Sequence, residues 1–298
     1  MTLTNPVEVF TTAAGDVQRR LGSLLREKVA GSNASQRATQ IWGKPGPRWF
    51  TESDPIWRVH SAASMFVGGI TALLLQSLHP LAMAGVAGHS GYKSDPWGRL
   101  QRTSHYLATT TYGTIADAER AIDAVRAIHE RVRGKDERGR QYRASDPHLL
   151  TWVHLAEAGS FLDAYQAFGS RPLSEAEADT YVKQTATAAR RLGVPDPPAT
   201  VSELAAQAEA FRPELEASPA ALEAARFLLL NPPLPLLARP GYSLLGVGAV
   251  SLLPDWARRM LRLPVPAPLA RLIGVPVGRF AAGVVRWGMA GVDAEGGR

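Results

Sequence analysis

Two histidines stand alone on apolar helical stripes. In the segment Asp117–Arg133, Ala118, Ala121, Ile122, Val125, Ile128 and Val132 recur at helical spacing, and His129 is the one polar residue among them. In PHLLTWVHLAEAGSFLDAYQAFG the stripe is Leu150, Val153, Phe161 and Phe168, again with a single histidine, His154. A neutral imidazole in apolar surroundings serves as a hydrogen-bonded core residue, as an axial haem ligand, or as one ligand of a His-carboxylate metal site. Glu157, one turn after His154, would orient or ligate in the last case. No HxxxH, HxH or HExxH spacing accompanies it, and His148 and His154 do not share a face. A haem would need apolar walls and basic groups for its propionates. Arg99, Thr103, Tyr106 and Thr110 recur at i, i+4, i+7 and i+11, a donor-rich helix face with Arg102 at its edge.

Other chemistries lack their signatures. There is no GxSxG, no P-loop, and GVGAVS at Gly246 has neither dinucleotide-binding spacing nor a strand before it. The absence of cysteine removes disulfides, thiolate-held zinc, iron–sulfur clusters and thiol nucleophiles together.

The elements that must position these residues read as helices almost throughout. The run Val59–Tyr92 carries no Asp, Glu, Lys or Arg, yet holds His60, His79 and His89. Gly68, Gly69, Thr71, Gln76, Ser77 and Pro80 interrupt it too often for a membrane span, so a central buried helix ending at His79-Pro80 is expected. Its apolar residues Met65, Phe66, Leu73 and Leu74 are expected to wall a pocket. Asp54-Pro55, Asp95-Pro96 and Asp146-Pro147 place an N-cap before a proline at the first helical position, and Ser174 with Glu177 forms a capping box. A helix over about Val7–Ala30 and a Gly/Pro-containing linker form a lead-in over residues 1–50. Residues 51–298 then form one all-α domain with an Arg/Pro-rich C-terminal part, closed by a helix around Val277–Gly291.

The net charge of +6 is uneven. Arg226–Arg286 contains eight arginines and one acid, Asp255. These arginines lie between Pro-rich apolar runs with few stacking aromatics, which speaks against a nucleic-acid groove. A helical cap with solvated arginines fits the segment, as does a surface facing a membrane or a partner. The N-terminal residues lack an apolar core after a basic start, so they do not read as a secretory signal, and a cytoplasmic, potentially membrane-associated location is expected.

The run LLLQSLHPLAMAGVAGHS, followed by WGRLQRTSHYLATTTYG, an AIHERVRG segment and YRASDPHLLTWVH, resembles the catalytic domain of the rubber oxygenases (latex-clearing proteins) and MpaB oxygenases. The resemblance implies a globin-like helical bundle around a buried cofactor pocket holding one haem b. It implies His129 as the iron ligand, Arg99, Arg102 and Thr103 as the distal catalytic group, and Arg99 and Tyr106 beside the cofactor. The family's distal lysine is Arg102 in this chain. A guanidinium stays protonated and cannot close the site by binding iron. The implied activity is a haem-dependent oxygenase acting with dioxygen on a small, hydrophobic, unsaturated substrate. The alternatives are a non-enzymatic helical protein that carries haem or lipid, and a peripheral membrane protein using the C-terminal part.

Overall fold

The computed structural model describes residues 6–31, 33–263 and 265–296. Helix α1 spans Pro6–Ala30 and α2 Ala34–Trp42. Helix α3 (Pro55–His60) begins at its proline, but the Asp54 carboxylate does not cap it. It accepts instead from the Thr51 backbone N–H at 2.7 Å and from Gln184 Nε2 at 2.5 Å, tying the helix start to a distant segment. The charge-free run then forms two helices, α4 (Met65–Gln76) and α5 (Pro80–His89), which meet at 109°. Pro80 lacks the N–H that would continue α4, and its ring restricts His79 to extended backbone.

Helices α6 (Pro96–Tyr112), α7 (Ile115–His129) and α8 (Pro147–Phe168) start at side-chain caps from Asp95, Thr114 and Asp146. Between α7 and α8 the charged loop forms a short antiparallel hairpin, β1 (Arg133–Lys135) and β2 (Gln141–Arg143), which sequence patterning did not reveal. Its Tyr142 is buried against Gly85 and Gly88 of α5. Helix α9 (Glu175–Leu192) carries the full Ser174/Glu177 capping box. Helix α10 (Val201–Ala210) passes into a 3-10 turn, Arg212–Glu214, because Pro213 cannot donate to a continuing ladder. Helices α11 (Pro219–Leu229), α12 (Arg239–Leu252), α13 (Asp255–Met260) and α14 (Ala267–Leu269) follow, and a π turn over Ala270–Gly274 leads into α15 (Val275–Gly296). The fold is all-α apart from the hairpin.

The core forms where α4 lies along α8, with α12 and α15 closing the other side. Val67 and Leu74 of α4 are wholly buried, with Leu155, Phe161 and Phe168 of α8 in the same cluster. Thr71 returns its hydroxyl to Val67 O at 3.0 Å, and Ser77 to Leu74 O at 2.7 Å, so the buried hydroxyls find acceptors locally. Helix α1 packs along α15 and α6, and Gln18 Nε2 donates to Trp287 O at 2.7 Å.

The arginines of the C-terminal part do not behave alike. Arg258 is buried: its guanidinium donates to Leu253 O at 2.5 Å and pairs with Asp255. Its role is to satisfy the carbonyls at the end of α12, which corrects the expectation of a uniformly solvated arginine surface. Arg259, Arg262 and Arg271 are exposed.

Helices α12 and α15 touch backbone to backbone. A Cβ at Gly278 would lie 2.9 Å from the Gly248 Cα and 2.7 Å from Phe168 Cζ. A Cβ at Gly283, in the same helix, would meet nothing within 4 Å. Gly278→Ala is therefore expected to destabilise the fold by about 1–3 kcal/mol through overpacking. Gly283→Ala is expected to be neutral or to stabilise by up to about 1 kcal/mol. Urea midpoints of the two variants against the parent check both, and equal midpoints would contradict the close crossing.

Candidate functional site

Helix α6 presents two kinds of donor. Arg99 is partly buried and makes no hydrogen bond or ion pair among the described residues, and its burial lowers the guanidinium below its ordinary value. It nevertheless stays a cation at any working pH. Tyr106 is also partly buried, and its phenol is pushed up by burial first and then by the Glu157 carboxylate on α8. It keeps its proton and can only donate or accept as a neutral hydroxyl. Arg102 and Thr103, by contrast, are exposed. Arg102 reaches back to the N-cap, where its Nη1 lies 3.1 Å from Asp95 Oδ2. The structure thus sets Arg99 and Tyr106 toward the interior of α6 and leaves Arg102 and Thr103 at its solvent side.

His129 ends α7. The apolar stripe predicted around it is buried at Ala118 and Ile122 only; Ile128 is exposed and Val125 and Val132 are partly so. His129 is itself partly buried, its Nδ1 is sealed from solvent, and that atom has no hydrogen-bond partner. Burial lowers its basicity, so the ring is neutral near pH 7. Among the described residues His129 makes no hydrogen bond to Arg99 or Tyr106, whereas the Glu157 carboxylate acts on the Tyr106 phenol.

Helix α8 adds two titratable groups on its less buried side. His154 Nε2 is buried without a partner. Burial, reinforced by Arg190, holds the ring down at about 4. Glu157 is pushed up to about 7 by burial alone. Its carboxylate also raises Tyr181 of α9, whose hydroxyl lies 3.4 Å from His60 Nε2. His60 Nδ1 is 2.8 Å from Thr111 Oγ1 at the end of α6, and burial pushes that ring down to about 4. His60 of α3 therefore links Thr111 of α6 to Tyr181 of α9 by hydrogen bonds, and the Glu157 charge on α8 acts on both Tyr181 and Tyr106. Sequence patterning missed Tyr181 because its partners are distant in the chain.

Met65, Phe66 and Leu73 are partly buried and remain able to wall a pocket, but Leu74 is fully enclosed and serves the core. His89 is exposed and lies 6.2 Å from the Tyr142 ring. A cavity of about 370 Å³ opens elsewhere, between the α3–α4 turn, the end of α8 and α15, with Arg58, Tyr165 and Arg286 in its lining. Phe168 of the predicted α8 stripe lines it, but His129, Arg99, Arg102, Thr103 and Tyr106 do not.

His79, at the expected end of the buried helix, lies beside His148 and Glu214, and these three residues could hold a metal ion. The His/carboxylate alternative considered from the sequence centred on His154 and Glu157; the compact grouping instead uses residues from three separate segments.

The chain matches, over residues 57–287, the family described as "ER-bound oxygenase mpaB/B'/Rubber oxygenase, catalytic domain". Comparison with curated proteins and with solved structures found no match. The match covers most of the chain, which belongs to this family and is by that membership an oxygenase.

The buried groups of α8 make opposite contributions to stability against pH. For His154 the folded value is about 4 against an ordinary 6.5, so the unfolded chain binds more protons between these pH values. Its contribution is intact above pH 6.5 and is lost as pH falls toward 4. For Glu157 the folded value is about 7 against 4.5, so the folded state binds more protons in that window. Its contribution declines as pH rises from 4.5 to 7 and stays low above, by up to about 3 kcal/mol. His154→Gln is expected to flatten the acid limb of a urea-midpoint profile, and Glu157→Gln the limb between pH 4.5 and 7. A Glu157→Gln profile parallel to that of the parent would show that this carboxyl is ionised in the fold.

Proposed function

We propose that this oxygenase holds haem b through His129 and uses dioxygen on a small, hydrophobic, unsaturated organic substrate. The observation that carries the haem assignment is the neutral imidazole of His129, whose enclosed Nδ1 has no partner, at the position the family resemblance gives to the iron ligand. A neutral imidazole is the protonation state a metal ligand requires. Arg99 suits the same group, since a partly buried cation without an ion-pair partner among the described residues is stabilised by an incoming carboxylate such as a propionate. When bound, ferrous haem supplies the activation of dioxygen.

The protein's own residues then have separable tasks. Arg99 holds positive charge at the pocket and orients an anionic group by forked donation. Tyr106 keeps its proton and offers a neutral donor. Glu157, poised near pH 7, can accept or release one proton at its carboxyl oxygen without a large penalty. Met65, Phe66 and Leu73 offer an apolar wall that excludes water and favours a hydrocarbon substrate over a polar one. Arg102 and Thr103 belong to the rim in this reading, where Arg102 is engaged by Asp95.

A peripheral membrane position is part of the reading and rests on the C-terminal helix. Ala267–Gly291 is long and apolar enough to cross a membrane, yet only a third of its most apolar window is buried in the fold. Leu269, Leu272, Ile273, Phe280, Val284 and Trp287 are exposed on it, and Arg259, Arg262 and Arg271 are exposed nearby in the chain. Such a face suits the boundary between headgroups and acyl chains, where a hydrophobic substrate is concentrated.

Purified protein from haem-replete cells is expected to show a Soret band, and His129→Ala is expected to lose it while keeping its helical circular dichroism. A colourless parent that also refuses added hemin would exclude the haem assignment. With haem present, oxygen uptake should rise on adding unsaturated hydrophobic substrates, and Arg99→Gln should slow it by about tenfold or more, the scale of one oriented charged contact. For the membrane position, cosedimentation with anionic lipid vesicles is expected to fall in Phe280→Ser/Trp287→Ser. Equal sedimentation of parent and variant would remove α15 as the contact.

A further inference from the structure

His79, His148 and Glu214 converge from three separate segments. His79 sits at the α4–α5 corner, His148 in the first turn of α8, and Glu214 in the 3-10 turn after α10. His148 Nε2 lies 2.8 Å from Glu214 Oε2, and His79 Nε2 lies 3.6 Å from the same oxygen. One potential ligand atom from each residue falls within 4.8 Å of the other two. The His79 side chain is only 3% exposed, and neither ring nitrogen has a hydrogen-bond partner. A separation of 3.6 Å is too long for a hydrogen bond. Folding has thus enclosed an imidazole with both nitrogens unmatched, an arrangement that costs free energy unless something occupies it.

The three groups are held in place by structure around them. The backbone N–H of Glu216 donates to Leu78 O at 2.9 Å, fastening the segment that carries Glu214 to the residue before His79. Asp146 accepts from the His148 backbone N–H at 2.9 Å and fixes the start of α8. The ring of Phe211 stacks on His148 with centroids 4.5 Å apart and stands 6.3 Å from His79. The nearby cation Arg140 is already paired with Asp136 and Glu216. An incoming ion therefore meets the Glu214 carboxylate and two imidazoles, with the neighbouring guanidinium charge offset.

The geometry points to a divalent transition-metal site made by His79, His148 and Glu214, with water completing the ion's coordination. A first-row ion bound at about 2.0–2.2 Å to nitrogen and oxygen ligands needs those atoms roughly 3 Å apart, so the observed spacing closes on an ion with small side-chain adjustments. Two imidazoles and one carboxylate select zinc, ferrous iron and their neighbours over calcium or magnesium. His148 and Glu214 are about half exposed, which leaves an access route and open coordination positions on the solvent side. The site uses none of the residues assigned to haem.

The test is a calorimetric Zn²⁺ titration of the full-length chain after chelator treatment. One saturating site per chain is expected, weakened at least about tenfold in His148→Ala and in Glu214→Gln. His129→Ala is expected to retain it, so this result is read independently of the haem assignment. No saturable site in the parent, or undiminished binding in both folded variants, would overturn the proposal. A second readout needs no variant. Diethylpyrocarbonate labelling of His148, followed by mass spectrometry, is expected to be blocked by Zn²⁺, and unchanged labelling would overturn the site equally.

Discussion

The close approach of α4 to α8 is the constraint from which the rest of the arrangement follows. A Cβ at Gly68 would lie 3.0 Å from the Phe161 ring, 3.1 Å from the Ala164 Cβ and 3.1 Å from Ser160 O. Two helices can approach this closely only where one of them lacks a side chain at the contact. A charge on the face of α4 turned to α8 could not reach water, and the sequence places none on the helix. Its hydroxyls must then bond within reach, as Thr71 and Ser77 do. The close contact also fixes how α8 is rotated. Trp152, Phe161 and Phe168 turn toward the core, and the side left over carries His154 and Glu157 toward α6 and α9.

Burial also sets the protonation of the polar groups left inside. His60, His79, His129 and His154 are all made less basic chiefly by desolvation, and Glu157 is made less acidic by the same cause. Removing water penalises whichever form is charged, so every one of these groups is driven toward neutrality. Neutral imidazole is the ligating form, and a carboxyl near pH 7 is the form that exchanges a proton readily. The interior that stabilises the helices thereby prepares the groups an oxygenase pocket would use. Arg99 is the exception, because a guanidinium cannot escape its charge by titrating. A partly buried cation of that kind gains from an anionic partner, which is what distinguishes it from the exposed Arg102 with its Asp95.

Features encoded within a few residues were legible in the sequence. The starts at Pro55, Pro96 and Pro147 and the capping box at Ser174 need only local chain geometry. The break at His79-Pro80 is local too, although the sequence did not reveal that the second half would turn by 109° into a helix of its own. The hairpin at Arg133–Arg143 escaped because strands of three residues in a charged loop carry no usable period. Arg258 read as surface charge because its acceptors, Leu253 O and Val250 O, are backbone atoms with no sequence signature. On α6 the spacing correctly grouped Arg99 with Tyr106, but spacing alone cannot say which edge of a polar face meets solvent. That depends on what α1 and α7 cover.

The His79, His148 and Glu214 grouping was illegible for a deeper reason. Ligand motifs such as HxxxH work because one helix supplies both residues at a fixed rise. Here each group comes from a different segment, and only the tertiary contacts bring them together. His79 reaches its position because Pro80 breaks α4. His148 reaches its own because Asp146-Pro147 starts a helix, and Glu214 because Pro213 ends one. Each local rule was readable, but their convergence was not. The same convergence argues against a merely incidental cluster: a His148–Glu214 hydrogen bond would satisfy those two residues and would not require an enclosed imidazole beside them. The unmatched nitrogens of His79 are accounted for when an ion, rather than a hydrogen bond, is what the three residues share.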